Sequence, residues 1–269
     1  MKYILITGAY GGMGEKAVEL LVKNGYTVFA LDRNIKQTKE SVIPVLADIT
    51  DITSVKTAFD KIKSITNNLF AIIHFAGVYM LDSLVEMSED DFDKAFKINL
   101  YGAFNINKVF LPLLKENSRI ILTTSELAPL DPLPFTGIYA ITKSALDGYA
   151  YSLKMELQLL DIHVSVIRAG AVSTGMLGVS TDALNVFCDK TEHYKLNAER
   201  FKKIVNSVEA KCVPPEKVAQ KALKILKSKN PKFVYNLNRN KLLLLLNSLP
   251  KSLRFKIIKG ILKSKNKNN

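Results

Sequence analysis

Short apolar runs alternate with amphipathic segments along most of the chain. The apolar runs cover residues 3–7, 26–31, 42–47, 69–76, 119–124 and 163–168. They are rich in β-branched residues and almost continuously apolar, which is typical of parallel strands that are covered on both faces. The segments between them have helical periodicity, for example residues 14–25, which end at Gly25 as a helix C-terminus commonly does. This alternation predicts an α/β fold with a doubly wound parallel sheet.

Length and composition agree with a single large domain. The chain has 269 residues and is 48% hydrophobic, enough for a sizeable core. No charged leader with a long apolar core precedes the first run, so we expect neither a signal peptide nor a transit peptide, and a cytoplasmic location. Cys188 and Cys212 fit no metal-ligand spacing and no disulfide framework. Both are predicted to be free thiols, and no metal site is predicted.

The positive charge lies in the C-terminal part of the chain. Residues 217–269 contain 15 Lys and Arg and no Asp or Glu, so residues 1–216 carry −2 of the overall +13. A basic segment of this kind can contact anionic lipid, nucleic acid or nothing in particular. No basic groove with interleaved aromatic residues and no zinc motif accompanies it. We therefore expect no nucleic-acid partner.

The last 34 residues, 236–269, are predicted to extend beyond a catalytic domain of residues 1–235. In this tail Leu249, Leu253, Ile257 and Ile261 recur every fourth residue. Basic residues populate the other faces, namely Lys251, Arg254, Lys256, Lys259 and Lys263. This is the pattern of a basic amphipathic helix on an anionic surface, so peripheral membrane contact is one hypothesis. Packing of the apolar stripe on the protein or on a partner subunit is the other.

A glycine-rich turn joins the first predicted strand to the first predicted helix. Gly8, Gly12 and Gly14 allow a tight bend and a close approach of the backbone to a pyrophosphate at the helix N-terminus. Asp32 follows about twenty residues later at the end of the second strand, where a carboxylate accepts hydrogen bonds from ribose hydroxyls. The charge of Asp32 favours NAD over NADP. The neighbouring Arg33 could bind a 2′-phosphate, so NADP stays open.

Tyr139 and Lys143 lie four residues apart in a predicted helix and therefore share a face. Such a pair is common on solvated helix faces and by itself indicates no chemistry. The alternative is a functional pair, because a nearby ammonium lowers the pKa of a phenol from about 10 and makes it a better proton-transfer group. The neighbouring motifs decide between these interpretations.

The ordered motifs over residues 1–235 resemble those of the short-chain dehydrogenase/reductase family. The segment TGAYGGMG is similar to the family's TGxxxGxG turn, DIT at 48–50 to its adenine-contacting loop, and HFAG at 74–77 to its NNAG motif. INLYG, TTS and YAITK then supply the family's asparagine, serine and YxxxK pair. The resemblance implies a Rossmann fold and an NAD(P)-dependent oxidoreductase acting on an alcohol or ketone.

The resemblance also implies a role for individual residues. Tyr139 is expected to be the general acid/base, and Lys143 to lower its pKa and bind the nicotinamide ribose. Ser125 is expected to hydrogen-bond the substrate oxygen, and Asn99 to hold a water that links Lys143 to solvent. The expected cofactor contacts are Gly8, Tyr10, Gly11, Gly12, Met13, Gly14, Asp32, Arg33, Asp48, Ile49, Ala76, Gly77, Tyr139, Lys143, Val172 and Thr174.

The chain departs from the family pattern at two places. His74 and Phe75 replace two asparagines, and His74 is interpreted as a packing residue rather than a proton carrier. RAGAVST at 168–174 has Ala169 in place of the family's proline, which predicts a looser loop, although Val172 and Thr174 match.

The substrate is expected to be lipophilic. Residues 173–213 correspond to the family's substrate lid and include Met176, Leu177, Val179, Leu184, Val186 and Phe187. Such apolarity favours a lipophilic alcohol or ketone such as a hydroxysteroid or bile acid, and residues 133–157 resemble the hydroxysteroid and retinol dehydrogenase branch. Packing of the lid on the body would give the same composition.

Two other functions are open, and so is the assembly. The alternatives are a 3-oxoacyl thioester reductase, which a basic patch at the pocket mouth would favour, and an NAD(P)-binding regulator or scaffold without chemistry. The resemblance implies a homodimer or homotetramer through helices around 100–116 and 139–160.

Overall fold

The computed structural model describes residues 1–36, 39–208 and 212–263, with the backbone alone for residues 175–181 and 208. Its centre is a parallel sheet of seven strands in the order β3-β2-β1-β4-β5-β6-β7. The strands are β1 Lys2–Thr7, β2 Tyr26–Asp32, β3 Val42–Leu46, β4 Leu69–His74, β5 Leu114–Ser125, β6 His163–Ala169 and β7 Val234–Leu237. The order reverses between β1 and β4, and ligands bind beyond the carboxyl ends of the strands at such a point.

Helices cover both faces of the sheet. They are α1 Gly12–Lys23, α2 Ile52–Lys63, α3 Glu89–Phe96, α4 Gly102–Phe110, α5 Gly137–Leu157, α6 Gly175–Lys190, α7 Lys195–Val208, α8 Glu216–Lys227, α9 Lys241–Ser248 and α10 Lys251–Leu262. A π-helical turn, Lys97–Tyr101, joins α3 to α4. The predicted doubly wound α/β fold is confirmed.

The central strands bury both of their faces, which explains their continuous apolar sequences. Leu5 contributes to the core on one side of the sheet, together with residues of α2, α4 and α5. Ile4 and Ile6, its neighbours in β1, contribute to the core on the other side, with α1 and α8. All three side chains are fully buried. A strand in this position has no polar face, so it shows no alternation of polar and apolar residues.

The structure corrects three of the predicted boundaries. β7 was not predicted, because its sequence VYNL is half exposed at the sheet edge and includes a polar Asn236. The predicted boundary between residues 235 and 236 lies inside this strand. The helix expected over 100–116 is shorter: α4 ends at Phe110, and β5 begins at Leu114.

The C-terminal helices α9 and α10, together with residues 239 and 240, form a segment that we call the cap. Arg254 of α10 was expected outside the apolar stripe of this helix, but it is buried and its guanidinium pairs with Asp131 at 2.9 Å. The same guanidinium contacts the Asn247 side chain, and Asn247 accepts a hydrogen bond from the Asp131 N–H. Next to this contact, Ile258 and Leu262 pack in a hydrophobic cluster with α7. The cap is therefore packed against the body, as one of the two hypotheses for the tail predicted.

Candidate active site

The glycine-rich turn between β1 and α1 has no room for larger residues. Gly8 has a φ of +66°, and a Cβ there would lie 2.6 Å from the Ala76 nitrogen. A Cβ on Gly14 would lie 2.0 Å from the Gly8 carbonyl oxygen, and one on Gly12 2.8 Å from the Thr174 Cβ. Contacts this short are not tolerated, so the turn requires glycine at each position. The backbone is thereby left open toward the space in front of α1, where a pyrophosphate fits.

A cavity of about 440 Å³ extends along this turn. Twelve of the predicted cofactor contacts line it, namely Gly8, Gly11, Gly12, Met13, Gly14, Asp32, Arg33, Asp48, Ile49, Ala76, Gly77 and Thr174. Tyr10 does not line it. Glycines line it in front of α1, where a pyrophosphate would lie, and Asp32 lines it where a ribose would lie, so the residues present fit a dinucleotide.

Asp32 lies at the carboxyl end of β2 and faces this cavity. Its Oδ2 accepts a hydrogen bond from the Tyr10 N–H at 3.0 Å, and its Oδ1 accepts one from the Arg33 N–H at 2.8 Å. Lys36, the nearby cation, is engaged elsewhere, because its Nζ lies 2.8 Å from the Glu15 carboxylate. The carboxylate is thus fixed by the backbone at the place where the sequence predicts a ribose contact.

Ser125, Tyr139 and Lys143 come together beside a second cavity. Ser125 is the last residue of β5, and the other two lie in the first two turns of α5. The Ser125 hydroxyl hydrogen-bonds the Tyr139 phenol. The ring of Tyr79 packs against Tyr139 with 4.8 Å between the ring centroids.

The position of α5 is fixed by an ion pair with the sheet. The Asp147 carboxylate accepts from Arg168 of β6 at 2.6 and 3.0 Å, a bidentate contact. It also accepts from the Thr124 hydroxyl at 3.1 Å. The helix that carries Tyr139 is therefore held directly against the strand that carries Ser125.

Burial raises the pKa of Tyr139 to about 12, which is opposite to the predicted direction. The hydrogen bond from Ser125 lowers this pKa but does not outweigh desolvation, and the nearby Glu126 carboxylate raises the pKa further. The Lys143 ammonium lies 5.8 Å from the centre of the phenol ring. Tyr139 is therefore a protonated phenol at neutral pH, a form that can donate a proton.

Lys143 is buried, and its ammonium donates a hydrogen bond to the Thr123 carbonyl at 3.2 Å. Burial lowers its pKa to about 8. A Cβ on Gly77 would lie 3.2 Å from the Lys143 Nζ and 3.1 Å from the Asn99 Oδ1. A larger residue at position 77 would therefore crowd both side chains, and Lys143 itself lines the second cavity.

Asn99 lies in the π-helical turn, a feature that is frequent at functional sites. Its side chain accepts from the Val78 N–H at 2.8 Å and donates to the Val78 carbonyl at 3.0 Å. It also donates to the Thr142 hydroxyl at 3.1 Å. Asn99 lines neither cavity but holds the segment that follows Gly77 against α5.

The second cavity has a volume of about 980 Å³ and is largely apolar. It continues the first one, because both are lined by Met13, Phe75, Gly77, Val78, Tyr79 and Thr174. Three predicted cofactor contacts that do not line the first cavity line this second one, namely Tyr139, Lys143 and Val172. Nicotinamide and substrate can thus meet beside Tyr139.

Much of the second cavity is built by the cap, which the sequence did not assign to the substrate site, and by α7, which lies within the predicted lid. The cap contributes Leu242, Leu243, Leu246, Ile257, Ile258, Ile261 and Leu262, and α7 contributes Phe201, Ile204 and Val205. The four-residue spacing of apolar residues in α10 was a signal for this wall, since Ile257 and Ile261 belong to both sets.

Glu126 is a second feature that was missed. Its Oε2 accepts a hydrogen bond from the Asn240 N–H at 2.5 Å, which links the end of β5 to the start of the cap. Burial raises its pKa, although the hydrogen bond from Asn240 and the charge of Arg239 lower it. Arg239 and Lys241 also line the cavity and are exposed, so cations lie at the mouth.

The predicted departures from the family pattern have structural explanations. His74 is buried and hydrogen-bonds the Asn107 side chain at 2.9 Å, and burial lowers its pKa to about 4. It is a neutral packing residue, as interpreted. The loop at Ala169 is held more firmly than expected, because the Ala169 carbonyl accepts from the Glu126 N–H and the Gly170 N–H donates to Leu237, both at 2.9 Å.

The apolar lid residues that the structure describes serve mainly for packing. Leu184 and Phe187 are buried in the cluster that also contains Phe201 and Leu262, whereas Val186 is exposed. The side chains of Met176, Leu177 and Val179 lie outside the described residues. Cys188 is buried and Cys212 is exposed, both as free thiols, as predicted.

Known proteins resemble the chain in sequence and in fold. A 3-ketodihydrosphingosine reductase of Bacteroides thetaiotaomicron is 28% identical, covering 86% of this chain and 85% of that protein. Estradiol 17-beta-dehydrogenase 2 of Mus musculus is 31% identical, covering 66% of this chain and 50% of that protein. A crystal structure of a short chain dehydrogenase family protein from Francisella tularensis matches with a TM-score of 0.74 at 20% identity, covering 88% of this chain and 97% of that one, and so shares its fold.

Residues 2–185 match the family model described as short chain dehydrogenase. That match covers more than half of the chain and contains the glycine-rich turn, Asp32, Asn99, Ser125, Tyr139 and Lys143. In the parts of the chain that the structure describes, no helix is both long enough and apolar enough to cross a membrane. Taken with the seven-stranded fold, the match shows that this chain belongs to the short-chain dehydrogenase/reductase family of oxidoreductases.

Proposed function

We propose that the protein reduces a ketone to a secondary alcohol in a lipophilic substrate, using NADH or NADPH. The observation that carries this proposal is the position of Ser125, Tyr139 and Lys143 on the wall of an apolar cavity that continues the glycine-lined one. When bound, the nicotinamide supplies the hydride. The residues of this chain bind the substrate, orient it and supply the proton.

Each polar side chain has a distinct part in this scheme. The Tyr139 phenol donates its proton to the carbonyl oxygen of the substrate as negative charge develops there. The Ser125 hydroxyl hydrogen-bonds the same oxygen and stabilises that charge. Lys143 contacts the ribose next to the nicotinamide, and its ammonium favours the phenolate that is left behind. Asn99 keeps Val78, and with it the adjoining wall of the cavity, in place.

The pKa of Tyr139 predicts how the two directions of the reaction depend on pH. With a pKa of about 12 the phenol is almost fully protonated at pH 7 and is ready to act as an acid. Oxidation of an alcohol requires the phenolate as base, which is scarce at this pH. The rate of oxidation is therefore expected to rise as the pH increases toward this pKa.

The wall of the cavity supports a lipophilic substrate. Leucine and isoleucine side chains of the cap line the same cavity as Tyr139, and such a surface binds aliphatic chains or fused rings by excluding water. The two curated relatives named above carry a sphingoid-base reductase and a steroid dehydrogenase name. A long-chain ketone and a ketosteroid are thus the first substrates to test, with bile acids next.

A ketone that carries an acidic group, such as a 3-oxoacyl thioester on an acyl carrier, is the second candidate. Arg239 and Lys241 at the cavity wall favour it, because a basic mouth attracts a phosphate-bearing carrier. The buried carboxylate of Glu126 close to Arg239 weakens this attraction.

The test is reductase activity of the purified protein, followed by the loss of NADH or NADPH absorbance. The panel contains 3-ketodihydrosphingosine, ketosteroids, oxidised bile acids and a 3-oxoacyl thioester. Turnover of one of the lipophilic ketones supports the leading proposal, and turnover of the thioester alone transfers support to the second. Tight NADH binding without turnover of any class in a wider ketone screen would favour a non-catalytic NAD(P)-binding protein.

The replacement Asp32→Asn tests the preference for NAD. It keeps a hydrogen-bond acceptor for the Tyr10 N–H but removes the charge that repels a 2′-phosphate. We expect the ratio of kcat/KM for NADPH to that for NADH to rise about 10-fold or more, the size of effect expected when a like-charge contact is removed. Asp60→Asn on the exposed surface of α2 should leave the ratio unchanged. An unchanged ratio in Asp32→Asn would mean that Arg33 governs the choice.

The expected dimer or tetramer remains a proposal. Apolar side chains of α4 and α5 support it, because Phe104, Ile141, Tyr151 and Met155 are 42%, 37%, 58% and 51% exposed. Exposed apolar surface of this kind marks an interface more often than a solvated face. The molar mass of the protein in solution tests it directly.

A further inference from the structure

The cap exposes apolar side chains around the mouth of the substrate cavity. Leu242 and Ile261 line the cavity and are nevertheless 63% and 53% exposed. Leu245, one turn further along α9, is 63% exposed, and Phe255 of α10 is 68% exposed. The apolar interior of the cavity thus continues onto an apolar outer surface. Contact with another apolar phase would remove these side chains from water, which is energetically favourable.

Positive charge surrounds the same surface. Between residues 239 and 263 there are seven basic residues and no acidic one. Lys251 and Arg254 pair with Asp131. The other five form no ion pair with any described residue, and all are exposed, namely Arg239, Lys241, Lys256, Lys259 and Lys263. Basic residues close to a surface of anionic lipid each add to the attraction, and exposed apolar side chains insert between the headgroups.

We propose that the cap is a docking surface for anionic lipid bilayers and that the cavity opens toward the membrane. A lipid bilayer fits both observations, because it offers an apolar phase for Leu245 and Phe255 and anionic headgroups for the lysines. A second copy of the chain does not fit, since two surfaces of the same positive charge repel each other. An acidic protein would satisfy the charge but leaves the continuity of the cavity with the apolar surface unexplained.

Docking at this place has a consequence for catalysis. A lipophilic ketone could pass from the bilayer between α9 and α10 to Tyr139 without crossing water. This consequence rests on the proposed function, whereas the docking itself does not.

Vesicle binding of the full-length protein tests the proposal. The probes are sedimented vesicles of phosphatidylcholine alone and of phosphatidylcholine with about one third phosphatidylglycerol, at low and high salt. We expect the anionic vesicles to bind at least about 10-fold more strongly than the neutral ones, and this advantage to fall in high salt, because both effects come from the lysines.

Two double variants locate the surface. Leu245→Ser with Phe255→Ser removes exposed apolar groups that do not line the cavity, and Lys256→Gln with Lys259→Gln removes two charges. Each is expected to weaken binding to anionic vesicles by about 5-fold or more. A matched control, Leu46→Ser with Ile65→Ser, replaces side chains that are 61% and 44% exposed on another part of the molecule and should bind like the wild type.

Several outcomes would overturn the proposal. These are no vesicle binding, equal binding to neutral and anionic vesicles, and binding that survives both cap variants. Self-association in the absence of lipid that the Leu245 and Phe255 replacements abolish would instead show a contact between copies of the chain. The proposed function is tested separately, since Tyr139→Phe should bind vesicles like the wild type. Vesicle binding without any ketone reduction would refute the function and leave the docking intact.

Discussion

Replacing Tyr139 by phenylalanine is expected to lower kcat for ketone reduction by about 10²- to 10⁴-fold, the usual contribution of a positioned general acid. The substitution removes only the hydroxyl that hydrogen-bonds Ser125. The ring keeps its contact with Tyr79, with 4.8 Å between the centroids. The fold and the glycine-lined cavity should therefore be unaffected. Steady-state kinetics measure the loss of kcat, and a fluorescence titration with NADH measures whether cofactor binding is unchanged.

The control lies on the same helix. Tyr151→Phe removes a phenol that is 58% exposed and distant from the cavity lining, so turnover should match that of the wild type. Tyr79 is the one other phenol beside Tyr139 that lines the cavity in the described part of the chain. Full activity in Tyr139→Phe with loss of activity in Tyr79→Phe would move the role of proton donor to Tyr79. Full activity in both variants would refute tyrosine-based acid catalysis.

The fold could be predicted because its determinants are local. Six of the seven strands of the sheet have apolar sequences that mark them, since parallel strands buried on both faces tolerate few polar residues. β7 could not be predicted in this way, because it is an edge strand of only four residues and is partly exposed. Its sequence therefore contains the exposed polar residue Asn236 and no continuous apolar run. Its place depends on backbone pairing with β6, in which Ile167 lies opposite Tyr235, and no periodicity encodes such a pairing.

The motif spacing led us to expect Ser125, Tyr139 and Lys143 at one place, and the structure brings these three to one cavity, but their electrostatics could not be predicted. Spacing placed Lys143 one turn after Tyr139, and the structure brings both to the cavity. The pKa of Tyr139 depends on how far the phenol is removed from water by groups distant in sequence, including Ser125 of β5 and the ring of Tyr79. Desolvation is a property of the packed structure, and it outweighs the hydrogen bond from Ser125.

The orientation of the cap could not be predicted from the sequence either. The repeat of apolar residues from Leu249 to Ile261 was compatible with a membrane surface and with packing on the protein. The structure shows the packing, whereas membrane contact remains a proposal. Ile257 and Ile261 line the cavity, whereas Phe255 lies on the outside. The decisive contact is between Arg254 and Asp131, 123 positions apart in the chain, which fixes the rotation of α10. A helical repeat does not define that rotation.

Replacing Lys143 by methionine is expected to lower activity strongly and at the same time to stabilise the fold. Methionine has a similar length but carries no charge, so the ribose contact and the support of the Tyr139 phenolate are lost, and kcat should fall by about 10²-fold or more. Stability responds in the other direction. Burial lowers the pKa of Lys143 from 10.5 to about 8, which corresponds to about 3 kcal/mol of unfavourable free energy in the folded protein.

The pH dependence of unfolding distinguishes this effect from simple repacking. Below pH 8 Lys143 is protonated in both states, and the folded state bears the full penalty for burying its charge. Between pH 8 and 10.5 the folded state loses the proton first, so the unfolded state binds more protons and stability rises with pH. Above pH 10.5 both states are neutral and the penalty is gone. Methionine removes this dependence.

Urea unfolding at pH 7 and at pH 10.5 measures this pH dependence of stability. At pH 7 the free energy of unfolding of Lys143→Met should exceed that of the wild type by about 2 kcal/mol, once about 1 kcal/mol is subtracted for the lost hydrogen bond to Thr123. At pH 10.5 this advantage should vanish. Lys63→Met, at an exposed position of α2, should show no such pH-dependent difference. A Lys143→Met variant that is less stable than the wild type at both pH values would mean that the buried ammonium is stabilised by its surroundings, and that its charge is retained for structure as well as for chemistry.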